Sequence, residues 1–278
     1  MTMTFKIDLH SHSYFSDGAL SPEQLIIRAE TQQVSHLALT DHDTVAGLVE
    51  AHNYSQTSPL TLINGIELST SWNNQCFHIL GLNIDPNNST LQRGTLLLGQ
   101  TRFERAEKIA YKLSKRGIPG AMDYVLNKAG QGMITRSHFA QYLLEENHVS
   151  SFQGAFDKYL GDGKSAFVST SWVELETAVN WITDAGGQAI IAHPLRYKLT
   201  TSKLKRLLTA FKLAGGAGIE VVTGNNNPDD IRKASQFART FDLYGSVGSD
   251  FHSDKNKWVE LGRLAPLPHD IKPIWDLF

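Results

Sequence analysis

Phe5, Ile7 and Leu9 alternate with Lys6, Asp8 and His10, and this period of two predicts a half-buried strand over residues 5–9. Apolar runs of strand length recur at residues 34–40, 60–66 and 77–82. The first ends in Asp41-His42-Asp43, the second ends at Glu67, and the third carries His78 near its start. Between the first two strands, Ser21-Pro22-Glu23 opens a helix, with Ser as N-cap, Pro at its first position, and Leu25, Ile26 and Ala29 on one face. The texture changes near Asp85-Pro86-Asn87-Asn88. From 91 to 163 no strand pattern is evident, and Phe103, Ala106, Ala110 and Leu113 sit at helical spacing up to a stop at Arg116-Gly117-Ile118-Pro119. Thr135 caps a further helix bearing Phe139, Tyr142 and Leu143. Phe152, Phe156 and Tyr159 form another stripe, closed by Gly161-Asp162-Gly163.

Strands and helices then alternate again: helix 175–184, strand 189–192 into His193-Pro194, helix 203–213, strand 218–222, helix 231–240, and strand 244–248 into Ser249-Asp250-Phe251-His252. The pattern predicts an α/β fold with a largely parallel sheet, interrupted by a small helical insertion. The expected divisions are 1–88 for the first part of the α/β body, 89–165 for the insertion, and 166–278 for the second part.

The polar punctuation gives this map its chemistry. His10, His12, His42, Glu67, His193, Asp250 and His252 fall at or just past strand ends, His78 lies within a strand, and Asp17 lies in the first loop. His10 and His12, two apart on a strand end, share a face and reach one point. In barrel-like α/β folds those ends converge on one catalytic face. Six of the 11 histidines belong to this set, whereas His36, His52, His148 and His269 show no such placement and read as ordinary surface or core residues. Six imidazoles and three carboxylates exceed the four ligands of one structural zinc, so two or three catalytic metals are expected. A nitrogen–oxygen donor set without thiolate suits Mn, Fe or Zn. Closely spaced ions of this kind activate a hydroxide for attack on phosphorus, leaving no need for a side-chain nucleophile.

Composition narrows the partners. A formal charge of −2 gives no global basic field, so any nucleic-acid site is local, and short chains or ends fit better than long RNA. Cys76 is the single cysteine, which excludes an internal disulfide and agrees with a reducing compartment. No stretch combines a basic region with an apolar run, and none nears membrane-spanning length. The expectation is a soluble cytoplasmic protein.

Asp8-Leu9-His10-Ser11-His12, Thr40-Asp41-His42-Asp43, Gly65-Ile66-Glu67, His78, Ala192-His193-Pro194 and Gly248-Ser249-Asp250-Phe251-His252 together resemble the PHP (polymerase and histidinol phosphatase) domain, in order along the whole chain. The resemblance is closer to the branch containing RNase AM and the 3′,5′-nucleoside bisphosphate phosphatases, which carry a helical insertion at this point. It implies a distorted (β/α)7 TIM-like barrel with three divalent metals, usually manganese. It implies that His10, His12, Asp250 and a bridging Glu67 hold one metal, that Glu67, His78 and His193 hold another, and that Asp17, His42 and His252 hold the third. Asp8, Asp41 and Asp43 would either orient ligand histidines or cap turns. Within the insertion, Arg102 and Arg105 share one helix face and Arg136 and His138 open another helix, at positions matching where that branch holds a substrate phosphate. The implied activities are 3′-phosphatase action on nucleoside 3′,5′-bisphosphates and 5′→3′ exonuclease action on short 5′-phosphorylated RNA. A small-molecule phosphatase of the histidinol phosphate type shares the metals, and a polymerase-accessory or non-enzymatic binding module is the remaining alternative.

Overall fold

The computed structural model describes residues 6–278. Phe5, the first apolar residue of the expected opening strand, lies outside that range.

β1 (Lys6–Asp8), β2 (Val34–Leu39) and the start of β3 (Thr61–Trp72) pair in parallel. β4 (Gln75–Leu82) returns antiparallel beside β3. β6 (Gln188–Ile191) pairs antiparallel with β4, and β7 (Gly218–Thr223) and β8 (Tyr244–Gly248) follow in parallel. A two-residue β5 (Val173–Glu174) hangs on β3 outside this path. The end strands meet, because Leu9 N–H donates to Val247 O at 2.9 Å and Ser11 bridges Phe251 in parallel. The result is an α/β sheet of seven strands curled until its edges touch. It is distorted because β3 and β4 form a hairpin in place of a strand–helix–strand crossover. Asn73 and Asn74 form the two-residue turn with φ of 49° and 60°, the left-handed pair that suits the twist of a hairpin.

Helices α1 (Pro22–Thr31), α2 (Gly47–Ser55), α7 (Leu175–Asp184), α8 (Thr201–Leu213) and α9 (Pro228–Phe241) pack around the sheet. α1 starts where the sequence placed it: Ser21 Oγ accepts from Gln24 N, Gln24 Oε1 accepts from Ser21 N, and Leu25, Ile26 and Ala29 are buried. Between β4 and β5 the chain is helical, comprising α3 (Ser89–Ser114), α4 (Ala121–Ala129), α5 (Arg136–Glu145), α6 (Phe152–Ala155) and a π-helical turn (Phe156–Leu160).

α3 serves two cores. Leu91 and Leu98 join the main core with Ile182 and Trp172, while Ala106, Ile109 and Leu113 join a separate one with Val125, Phe139 and Leu143. Gly94 lets α3 lie against Trp181, since a Cβ there would come within 2.5 Å of the indole. Two apolar expectations need correction. Phe103 is 43% exposed, because the buried side of α3 runs through Arg102, Ala106, Ile109 and Leu113. The stripe beginning at Phe152 is helical up to Gly161 but passes from α to π at Phe156; Phe156 and Tyr159 pack on the second core, whereas Phe152 is exposed. Among the described residues no helix is long and apolar enough to cross a membrane.

Candidate metal centre and anion pocket

The residues singled out at strand ends converge. His10 and His12 leave the end of β1 on one side of the chain, and their Nε2 atoms lie 3.1 Å apart. Both atoms are 3.3 Å from Asp250 Oδ1, and they lie 3.4 and 3.3 Å from Glu67 Oε2. His78 Nδ1 and His193 Nε2 flank the other oxygen of Glu67 at 3.0 and 3.1 Å. His42 Nδ1 is 2.9 Å from Glu67 Oε2, while its Nε2 is 3.7 Å from Asp17 Oδ1, which His252 Nε2 approaches at 3.3 Å.

Glu67 does not end its strand as the sequence suggested. β3 runs on to Trp72, but its ladder with β2 stops at Leu39–Asn64, so Glu67 emerges past the edge of β2 and faces the cluster from the middle of β3. Asp43, His193 and Asp250 have φ of 55°, 30° and 57°. Non-glycine residues seldom adopt such values, and they gather where a site dictates the backbone.

Three groups of donor atoms lie close enough to hold an ion: His12, Asp17, His42 and His252; His10, His12 and Glu67; and His42, Glu67 and His78. They share His12, His42 and Glu67. Asp17 Oδ1, His42 Nδ1, Glu67 Oε2 and His193 Nδ1 are buried with no hydrogen-bond partner among the described residues. His42 Nδ1 and Glu67 Oε2 are thus close without bonding, an arrangement that costs free energy in a protein interior unless a cation lies between the lone pairs. The donor set therefore fits divalent metal.

Electrostatics within the cluster agree. Burial works to raise Glu67, yet His42, His78 and His10 hold its carboxyl well below the usual range. Asp17 and Asp250 are likewise held low against burial by the histidines around them. Burial and the neighbouring His252 push His12 down to about 3, leaving it neutral. Burial works to lower His78 and His252 as well, but the nearby carboxylates win and lift them to about 10 and about 9.

The three aspartates beside the histidine motifs are structural hubs. Asp8 accepts from the backbone N–H of Ser249 and Gly262. Asp41 accepts from Ser13 N–H, Ser13 Oγ and Ser16 Oγ, fixing the loop that carries Asp17. Asp43 accepts from Ser69 N–H and Arg102 Nε.

Glu220 is the functional residue absent from the sequence-based set. It is 1% exposed, with Oε1 3.0 Å from His10 Nδ1 and Oε2 accepting His193 N–H at 2.5 Å. Its signal was a lone acid inside the buried apolar run Gly218–Thr223.

Beside the cluster opens a cavity of about 280 Å³, lined by Asp17, His42 and His78 on one side and by Arg102, Arg105 and Arg136 on the other. The three arginines differ. Arg102 is 5% exposed and fully engaged, its Nε to Asp43, Nη1 to Ile134 O and Nη2 to Ser69 Oγ. Arg105 has a buried Nε without a hydrogen-bond partner among the described residues, and burial together with Arg136 and Arg102 pushes its guanidinium down to about 9. Burial also lowers Arg136. Arg102 and Arg105 both stack over Trp172 at 5.3 Å, and Arg136 lies over Phe156 at 5.8 Å. Crowded, half-desolvated cations, with no carboxylate among the described residues paired to Arg105, form a receptor for an anion. His138 lies behind the wall: it is 7% exposed, and its Nδ1 accepts Thr135 N–H to complete the capping box of α5.

A fold and site of this kind define a metal-dependent phosphoesterase, and comparison with known proteins agrees. Residues 8–189 match the PHP domain, and the chain belongs to that family. It is 45% identical to a 5′-3′ exoribonuclease of Haemophilus influenzae over 99% of this chain and 100% of that one. It is 42% identical to a 3′,5′-nucleoside bisphosphate phosphatase of Chromobacterium violaceum over 97% and 95% of the two chains. A solved amidohydrolase structure from C. violaceum, with bound sulfate, superposes with a TM-score of 0.93 at 41% identity, covering 98% of this chain and 95% of that one.

Proposed function

We propose that this protein is a phosphoesterase acting at the 3′ oxygen of a nucleotide whose 5′-phosphate it grips. Nucleoside 3′,5′-bisphosphates and the 5′ ends of short RNA are its substrates. The observation that carries this reading is the cavity itself, where the cations of Arg105 and Arg136 share one space with His42, His78 and Asp17. Three divalent ions, with manganese the first choice, would be held by His10, His12, Asp17, His42, Glu67, His78, His193, Asp250 and His252. When bound, they would supply nucleophile activation and neutralise charge on the phosphoryl oxygens. Arg105 and Arg136 bind the 5′-phosphate, Arg102 fixes the wall and the Asp43 loop, and His138 holds the first turn of α5. The insertion, 89–165, is the substrate-recognition unit, set between barrel segments 1–88 and 166–278.

Water's oxygen joins phosphorus, the P–O3′ bond breaks, and the proton ends on O3′. If the phosphorus is terminal, phosphate is released from the bisphosphate. If it continues into a chain, the same step frees a 5′-mononucleotide and leaves a new 5′-phosphate, so degradation proceeds 5′→3′. The exoribonuclease and bisphosphate phosphatase names of the full-length relatives support both outcomes.

The test is a time course with purified protein, manganese, and short RNA bearing either a 5′-phosphate or a 5′-hydroxyl. Stepwise mononucleotide release that depends on the 5′-phosphate is the expected result. Cleavage indifferent to that phosphate would remove the 5′-phosphate grip from this reading, and hydrolysis confined to simple phosphomonoesters would replace it with a metabolite phosphatase.

A further inference from the structure

The cluster has two open flanks. Asp17, His42 and His78 face the arginine-lined cavity. On the other flank His193 lines a second cavity of about 130 Å³, between the loops that follow β6 and β7 and against α9. Its polar groups are mostly spoken for. Glu220 is held by His10 and by His193 N–H, Asn226 Oδ1 accepts Thr223 N–H at 2.7 Å, and Asp230 Oδ2 accepts Asn227 N–H at 3.3 Å. Thr223, Asn225 and Arg196 also line it. Asn225 is exposed and its amide has no partner among the described residues, and Arg196, paired to Asp250 through Nη1, is 40% exposed.

We propose that this second cavity receives the ribose and base of the nucleotide that follows the scissile phosphate in RNA, a subsite that a mononucleotide bisphosphate leaves empty. The inference rests on the function proposed above and extends it. The same P–O3′ bond breaks in both substrates, so they differ at one other phosphorus oxygen, which is free in the bisphosphate and esterified to the next O5′ in RNA. With the 5′ nucleotide in the arginine-lined cavity and its 3′ phosphorus at the cluster, the continuing chain needs an opening on the far flank. The cavity beside His193 and Arg196 supplies it. Its chemistry suits a sugar and base over a further phosphate, because Glu220 and Asp230 repel an anion whereas a free amide can both donate to and accept from hydroxyls and base edges. Arg196, at the cluster end, lies where the connecting phosphate enters.

The experiment compares adenosine 3′,5′-bisphosphate with 5′-phosphorylated diadenylate for the wild type, Asn225→Ala, and Asn225→Trp, which fills the opening. We expect Asn225→Trp to lower kcat/KM for the dinucleotide by about tenfold, the scale of one lost base or sugar contact, while the bisphosphate stays within about twofold; Asn225→Ala shows the same selectivity more weakly. Binding of a 5′-phosphorylated RNA to the metal-free protein, followed by fluorescence anisotropy, is expected to weaken in parallel. Equal losses on both substrates, or no loss on either, would overturn the subsite while leaving the function intact. A wild-type protein that hydrolyses the bisphosphate but no dinucleotide would overturn the exonuclease reading and the subsite together.

Discussion

Glu220 Oε1 lies 3.0 Å from His10 Nδ1, and its second oxygen holds His193 N–H, so one buried carboxylate orients two histidines of the cluster. Gly248 makes room for it: a Cβ there would fall 2.3 Å from His10 Cβ and 2.7 Å from Glu220 Oε1. A carboxylate at Nδ1 fixes the imidazole tautomer and leaves the Nε2 lone pair facing the ion. Glu220→Gln would place an amide N–H against one of these two donors. We expect Glu220→Gln and Glu220→Ala to weaken manganese binding about 10–100-fold by calorimetry, the usual cost of removing such a partner. Unchanged affinity in both variants would reduce Glu220 to packing.

Arg102 and Arg105 separate stability from recognition. Arg102 belongs to a buried ion pair with Asp43, and removing one partner of such a pair costs about 3–5 kcal/mol. Arg102→Ala is therefore expected to lower the unfolding midpoint sharply. Arg105, with its unpartnered Nε, pays no such debt. Arg105→Ala should keep the fold, raise KM for 5′-phosphorylated substrates about tenfold or more, and leave 5′-hydroxyl RNA unaffected. Thermal melts and KM measured on paired substrates check both halves.

How much of this was legible follows from distance along the chain. Local signals succeeded: Ser21 with Gln24 marked α1, and histidines punctuating apolar runs marked the cluster. Long-range ones failed. Nothing near Arg102 announces that Asp43, 59 residues away, engages its Nε. Glu220 looks like a strand residue until β7 is set beside His10, 210 residues distant. β3 seemed to end near Glu67 because the apolar run stops there, and Ser69, Thr70 and Ser71, though buried, give no hydrophobic signal. Phe103 shares helical spacing with Ala106 and Leu113, yet the buried side of α3 runs through Arg102, Ala106, Ile109 and Leu113 and leaves it outside.

The cluster also makes stability depend on pH in a direction set by metal. Burial favours neutral His78 and His252, but Glu67 beside the first and Asp17 and Asp250 beside the second lift them to about 10 and about 9. Both values lie above the ordinary histidine value, so the stabilisation from these protonated rings is complete below about pH 6.5 and is lost as pH rises through 9–10. The metal-free protein is expected to melt progressively lower between pH 7 and 10. Manganese needs neutral imidazoles, so loading should release protons and remove that slope. Melting curves with and without the ion, and binding heats in buffers of different ionisation enthalpy, test this. A metal-free midpoint that stays level or climbs over the range would contradict it.

Ser137 Oγ donates to Asp17 Oδ2 at 2.8 Å, joining the first turn of α5 to the cluster. Thr135, two residues earlier, caps the same turn by accepting Ser137 N–H. The two hydroxyls make separable contributions. Ser137→Ala frees Asp17 to rotate without uncapping α5, so it should lower kcat and manganese occupancy with little change in KM. Thr135→Ala removes the cap, costs about 1 kcal/mol of stability, and loosens the turn bearing Arg136, so it should raise KM for 5′-phosphorylated substrates. Side-by-side kinetics and metal analysis decide the matter. If both variants move KM alone, the bond to Asp17 is incidental to the metal centre and α5 acts on the substrate phosphate only.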